Sequence, residues 1–176
     1  MPQVEVIQAP TKERLINRVT VEFKLQYGNE ADIVTLTPGR INIIGEHTDY
    51  NDGLAMPAAI DRWICAAACR SGNESSTIYS LNYNEGAIMF PHPMKNFQKV
   101  WKRLAAASIR LIKTEFGINA GGNMALGGNI PIGCGLSSSS ALVISITQTV
   151  CQLLSIQMAD RELAAFCQKI ENRVLG

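Results

Sequence analysis

Disulfide scaffolding and zinc ligation are what the sequence argues against first. Its cysteines, Cys65, Cys69, Cys134, Cys151 and Cys167, are odd in number and form no CxxC pair, and only two histidines accompany them. Neither a disulfide framework nor a zinc set is indicated, so reduced thiols in a cytoplasmic protein are the expectation. A large charge imbalance is also missing. The formal net charge is +1, too small for the broad field that gathers nucleic acid or an anionic membrane. A small-molecule partner is therefore expected, with no nucleic acid and no membrane. The opening MPQVEVIQAPTKERL lacks the basic start and apolar stretch of a secretory signal. No formal charge occurs between Glu115 and Asp160, yet Gly, Asn, Ser, Thr and Gln interrupt that stretch and exclude a membrane span. There is no internal repeat, and no low-complexity tract beyond one run of four serines.

What is present is a chain of 176 residues, 47% hydrophobic and 18% charged, enough for one domain with a real core. Residues 11 to 27 read as an amphipathic helix ending near Gly28. Ile33 to Thr37 and Ile41 to Ile44 read as strands on either side of a Pro38-Gly39 break. Leu54 to Ile60, Trp63 to Arg70 and Thr77 to Tyr83 suggest further strands, the last two joined as a hairpin through Ser71-Gly72-Asn73. Phe97 to Phe116 reads as a helix closed by Gly117. Asn123 to Leu126 suggests a strand, and Ser139 to Ile156 a largely buried helix with the serine run as its N-cap. A last helix begins near Asp160, where Leu163, Phe166, Cys167, Ile170 and Val174 form one apolar stripe.

Three constellations carry chemistry. "PIGCGLSSSSA", residues 131 to 141, is a glycine-rich turn leading into a helix, a geometry that presents backbone N–H groups and the positive dipole end to an anion. Hydroxyls there can ligate a magnesium ion carried by phosphates; the competing reading is an ordinary loop with a serine cap. It is not the GxxxxGK loop of the P-loop enzymes. "PGRINIIGEHTDYNDG", residues 38 to 53, puts Arg40 at a tight turn and Glu46, His47, Asp49 and Asp52 on the following loop. Carboxylates accept hydrogen bonds from sugar hydroxyls; metal binding and a solvated acidic turn are the rivals. Glu171 continues the row Leu163, Cys167 along an apolar helix edge, so an inward carboxylate in need of a partner is one reading and a frayed, exposed end the other.

Together these residues resemble the galactokinase branch of the GHMP kinases. The first motif is similar to the galactokinase signature almost letter for letter, and the second to the superfamily's Gly/Ser-rich ATP loop. The resemblance implies an α/β domain, a two-layer α+β arrangement of the ribosomal protein S5 domain 2-like type, with a mixed or antiparallel sheet packed against helices. It implies ATP and magnesium as cofactors and galactose as substrate. By position, Arg40 matches the arginine beside the transferred phosphoryl group. Glu46, His47 and Asp49 match residues that hold the sugar. Gly133, Gly135, Ser137, Ser138, Ser139 and Ser140 match the loop around the ATP phosphates, with Ser139 as the hydroxyl ligand of magnesium and Glu171 as the glutamate completing the metal site.

The chain departs from the family pattern at Thr37 (usually alanine), Cys134 (usually a smaller residue) and Asn172 (commonly histidine). The family's "CGIMDQ"-like segment with its catalytic aspartate, and its C-terminal domain, are not within residues 1 to 176. The expectation is therefore an N-terminal GHMP domain with little or no turnover by itself, whose exposed apolar surface favours self-association or a C-terminal half. The alternatives are a kinase for N-acetylgalactosamine or arabinose, a non-catalytic galactose and ATP sensor, and an inert piece.

Overall fold

Helix α1, Lys12–Tyr27, starts where the Thr11 hydroxyl accepts from the Arg14 N–H and stops at Gly28, as the sequence predicts. Its Leu15, Val19 and Phe23 lie four residues apart and are all buried. A computed structural model describes residues 10–45, 53–131 and 133–175, apart from the side chain of Ile88.

Among the described residues five strands follow the order β1-β2-β5-β3-β4. β1, Ile33–Ile44, and β2, Met56–Arg70, are each continuous where the sequence suggested two pieces. The Pro38-Gly39 element is a shift of register instead of a break: Pro38 pairs with Trp63 and Gly39 with Ile60, so Asp61 and Arg62 are surplus on β2. β1 is an edge strand, where a residue without an N–H is tolerated. Only Ile64 to Arg70 of β2 reach β5, so the rest of β1 and β2 runs on as a two-stranded ribbon. Its Ile43, Ile44 and Met56 are exposed, as is Leu54 just before β2.

The expected hairpin between β2 and β3 (Ser76–Ser80) is not formed. β5, Gly122–Gly128, lies between them, antiparallel to β2 and parallel to β3, so Asn123 faces both Cys69 and Thr77. The 71 to 73 segment is tied to the start of β5 instead: Ser71 N–H donates to the Gly121 carbonyl at 3.2 Å, and Gly121 N–H to the Asn73 carbonyl at 2.7 Å. A local turn signal has yielded to long-range pairing, and the sheet is mixed. The other neighbour of β3 is β4, Glu85–Phe90, a strand the sequence reading left unassigned.

Alternation along β2 and β5 builds two cores. Cys65, Ala67, Cys69 and Ala125 face α1. Ala66, Ala68, Met124 and Leu126 face α2 (Val100–Phe116) and α3 (Ser138–Leu153). α4, Asp160–Leu175, packs on α2 and α3 through Phe166, Cys167 and Ile170, the stripe read from the sequence. The expected α/β arrangement with a mixed sheet is thus present, with α1 also covering the far face. Ala66, Ala67 and Ala68 are wholly buried, and such small side chains let helices approach the sheet closely on both sides.

The far end of β5 is fixed by two asparagines. Asn82 accepts from the Gly128 N–H at 2.8 Å and donates to its carbonyl at 2.9 Å. Asn129 accepts from the Trp63 N–H at 2.6 Å, and its side-chain amide donates to the Pro10 carbonyl at 3.0 Å. The chain therefore leaves the sheet towards α3 from a set position.

Truncation of a side chain as buried as Phe23 costs about 3–5 kcal/mol. Phe23→Ala is therefore expected to lower the urea midpoint sharply, whereas Leu25→Ala, at a position 73% exposed, shifts stability by no more than about 0.5 kcal/mol.

Candidate functional site

The loop from Pro131 to α3 has an unusual backbone. Gly133, Gly135 and Ser137 all have positive φ, at 77°, 69° and 53°. A Cβ on either glycine would meet nothing within 4 Å, so glycine is needed for its conformation and not for room. Ser137 occupies the N-cap position of α3 in the left-handed conformation, and its side chain makes no capping bond. The expected serine cap is thus corrected: a left-handed residue turns its hydroxyl away from the N–H groups it would satisfy. The N–H groups of the first helical turn, Ser138 to Ser140, have no carbonyl four residues back within the helix and are available, with the helix dipole, to an anion.

Two contacts bring the other predicted residues to this loop. The Arg40 N–H donates to the Leu136 carbonyl in a long bond of 3.4 Å. Gly39, beside it, lies so close that a Cβ would sit 3.2 Å from the same carbonyl oxygen and 3.2 Å from Ile130 Cδ1. The Arg40 side chain itself is exposed. On the other side, Ser140 Oγ donates to Glu171 Oε2 at 2.9 Å, joining α3 to α4. Glu171 is half-buried, in keeping with the inward reading of its helical row. Ser139 points elsewhere: with Ser138 it lines a cleft of about 180 Å³. Glu46, His47, Asp49 and Asp52 lie outside the described residues.

Sequence reasoning missed that cleft. Its other walls are Ile64, Leu126 and Ile130 from the sheet side and Tyr83, Trp101 and Leu104 opposite. Tyr83 and Trp101 stack with centroids 5.6 Å apart and planes 8° apart. The only available signal was a pair of aromatics flanking a turn and a helix start, in a stretch with little motif character. Cys65 and Cys167 add no nucleophile here: burial raises their thiols to about 12 and about 11, so both stay protonated.

Among the described residues no cluster of three or more His, Cys, Asp or Glu could hold a metal. A hard cation at this corner would draw on the Glu171 carboxylate, serine hydroxyls and the oxygens of a bound phosphate, an all-oxygen set that fits magnesium. No helix among these residues is long and apolar enough to cross a membrane.

Comparison with known proteins follows the same geometry. Residues 21–70 match the galactokinase galactose-binding signature, and residues 100–176 match the GHMP kinases N terminal domain. The chain belongs to the galactokinase-type GHMP kinases. It is 32% identical over 166 residues to a galactokinase of Staphylococcus saprophyticus, covering 92% of this chain and 43% of that protein. It is 30% identical over 154 residues to a galactokinase of Roseiflexus sp., covering 88% of this chain and 39% of that one. The structure of Lactococcus lactis galactokinase complexed with galactose aligns with a TM-score of 0.81 at 28% identity, over 91% of this chain and 42% of that one. This GHMP chain therefore spans about two fifths of the length of the galactokinases it resembles.

The Ser140 to Glu171 bond gives a direct test. A hydrogen bond to a charged group contributes about 1.5–3 kcal/mol, less where water competes. Ser140→Ala is expected to lower unfolding free energy by about 1 kcal/mol, with a double-mutant cycle against Glu171→Ala recovering most of that as coupling. Ser139→Ala should stay within about 0.5 kcal/mol in the absence of ligand.

Proposed function

We propose that residues 1 to 176 form the N-terminal domain of an ATP-dependent sugar kinase, which transfers the γ-phosphoryl group of ATP to the anomeric hydroxyl of D-galactose. The observation that carries this reading is the bond from Arg40 to Leu136, because it brings the start of the signature, at Gly39 and Arg40, against the loop that leads into α3. In this reading the backbone N–H groups of the loop and of the α3 N-terminus hold the ATP phosphates, aided by Gly133, Gly135 and Ser137 to Ser140. The apolar cleft beside Ser138 and Ser139 receives the base. Arg40 offers a fixed cation where charge develops on the transferred group. Glu46, His47 and Asp49 accept hydrogen bonds from the sugar.

In this reading Ser139, from the cleft side, and Glu171, from α4, would hold a magnesium ion, with Ser140 of α3 bonded to the same Glu171 carboxylate. When bound, the ion neutralises charge on the phosphate oxygens. Phosphoryl transfer depends on positioning and exclusion of water, so the reading includes a second wall, from a C-terminal half of the kind the family carries, closing over the exposed ribbon. The catalytic aspartate belongs to the family's "CGIMDQ"-like segment, outside residues 1 to 176, and little turnover is expected from these residues alone. Galactose is favoured among sugars because the matched signature is a galactose-binding one.

Calorimetric titration with a non-hydrolysable ATP analogue, with and without magnesium, tests the reading. The expected outcome is magnesium-dependent binding that weakens at least about tenfold in the Ser139→Ala, Glu171→Ala double variant. Arg40→Met is expected to leave that binding within about threefold and, in a kinase completed with its C-terminal half, to cut kcat by about 10²–10³. Binding by the folded double variant equal to that of the parent chain would contradict the metal assignment.

A further inference from the structure

We propose that Glu85 is the positioning residue of the nucleotide base: its carboxylate fixes the Tyr83 and Trp101 wall of the cleft, so it governs affinity for the base and not for the phosphates. The proposal rests on the nucleotide reading above and adds to it a residue from a strand that carries none of the motifs.

Glu85, the first residue of β4, gathers three donors from the start of α2. Its Oε1 accepts from Lys99 Nζ at 2.7 Å and from the Trp101 indole N–H at 3.3 Å, and its Oε2 accepts from Lys102 Nζ at 3.1 Å. α2 lacks the usual means of holding its own start: Lys99 at the N-cap makes no side-chain capping bond, and no acidic residue lies in the first turn. A carboxylate from another element supplies the negative charge that a helix N-terminus favours. Lys99 first, then Lys102, hold that carboxyl down to about 2, so it is ionised at neutral pH.

The consequence falls on Trp101. It is 6% exposed, and a buried indole N–H needs a partner; Glu85 is that partner, reached from behind the cleft. The ring is thereby set parallel to Tyr83. Both rings are also covered by the same lysines, with Lys99 Nζ 5.5 Å from the Tyr83 centroid and Lys102 Nζ 5.5 Å from that of Trp101. Tyr83 is held in sequence between Asn82, which is bonded to Gly128, and Asn84, in the left-handed region at φ 48°. One acidic side chain thus ties a turn, a helix start and two aromatic rings into a single wall. The phosphate-facing Ser138 and Ser139 lie in the same cleft but make no contact with Glu85 among these bonds.

The experiment compares Glu85→Gln, and separately Lys99→Met with Lys102→Met, against the parent chain. Each is titrated with a magnesium-loaded ATP analogue and with inorganic tripolyphosphate, and its melting temperature is recorded. Expected is about fivefold weaker binding of the ATP analogue in both variants, with tripolyphosphate affinity changed less than about twofold. In a Trp63→Phe background, where Trp101 is the sole tryptophan, its emission should shift to the red in the same variants. A folded Glu85→Gln chain that binds the ATP analogue as well as the parent does, or that loses tripolyphosphate in equal measure, would overturn the proposal. A parent chain that binds neither probe would instead overturn the nucleotide reading, and this proposal with it.

Discussion

Two asparagine side chains gripping the end of β5 govern the geometry of everything downstream. Asn82 holds both backbone groups of Gly128, and Asn129 holds β2 through Trp63 and the start of the described chain through Pro10. β5 is itself sandwiched between β2 and β3 and buried on both faces. The loop that follows is therefore launched from the most constrained strand of the sheet, and can adopt left-handed conformations at Gly133, Gly135 and Ser137 without moving its anchor. Left-handed backbone costs a non-glycine residue roughly 1 kcal/mol or more, and Ser137 bears that cost at the mouth of α3. Strain at such a position is commonly tolerated where a ligand uses the resulting geometry.

The second constraint is steric. Wholly buried alanines at 66, 67 and 68 in β2, and at 105 and 106 in α2, keep the layers close, so the α3 N-terminus, β1 and the C-terminal part of α4 converge. That closeness is what allows Arg40 and Glu171 to approach a loop nearly a hundred residues from one and three dozen from the other in sequence. The Gly39 contact with Leu136 shows how little slack remains.

Much of this was legible from residues alone, for identifiable reasons. α1, α2 and α4 announce themselves by caps and apolar rows, because helix signals are local. The β2 and β3 hairpin was misread because Ser71-Gly72-Asn73 is a sound turn signal, while the insertion of β5 depends on pairing some fifty residues away. β4 escaped notice because Gly86 and Ala87 carry little strand preference. In the site, the inward row of Glu171 was readable, but its partner was not. Four successive serines are chemically identical, and only the phase of α3 turns Ser140 to Glu171 and Ser139 to the cleft. The Tyr83 and Trp101 wall with Glu85 behind it came from the stretch with the weakest motif, where side-chain contacts, not spacing, define the arrangement.

In the proposed function, one corner built from the loop of residues 133 to 140 and the adjoining cleft receives a nucleotide. The most direct measurement is to follow backbone amide and indole resonances while a magnesium-loaded ATP analogue is titrated into isotopically labelled chain. The amides of Gly133 to Ser140 and the Trp101 indole are expected to shift together along one saturating curve, while the Trp63 indole on the far side stays in place. Saturable shifts confined to other surfaces, with these amides and the Trp101 indole unmoved, would contradict it.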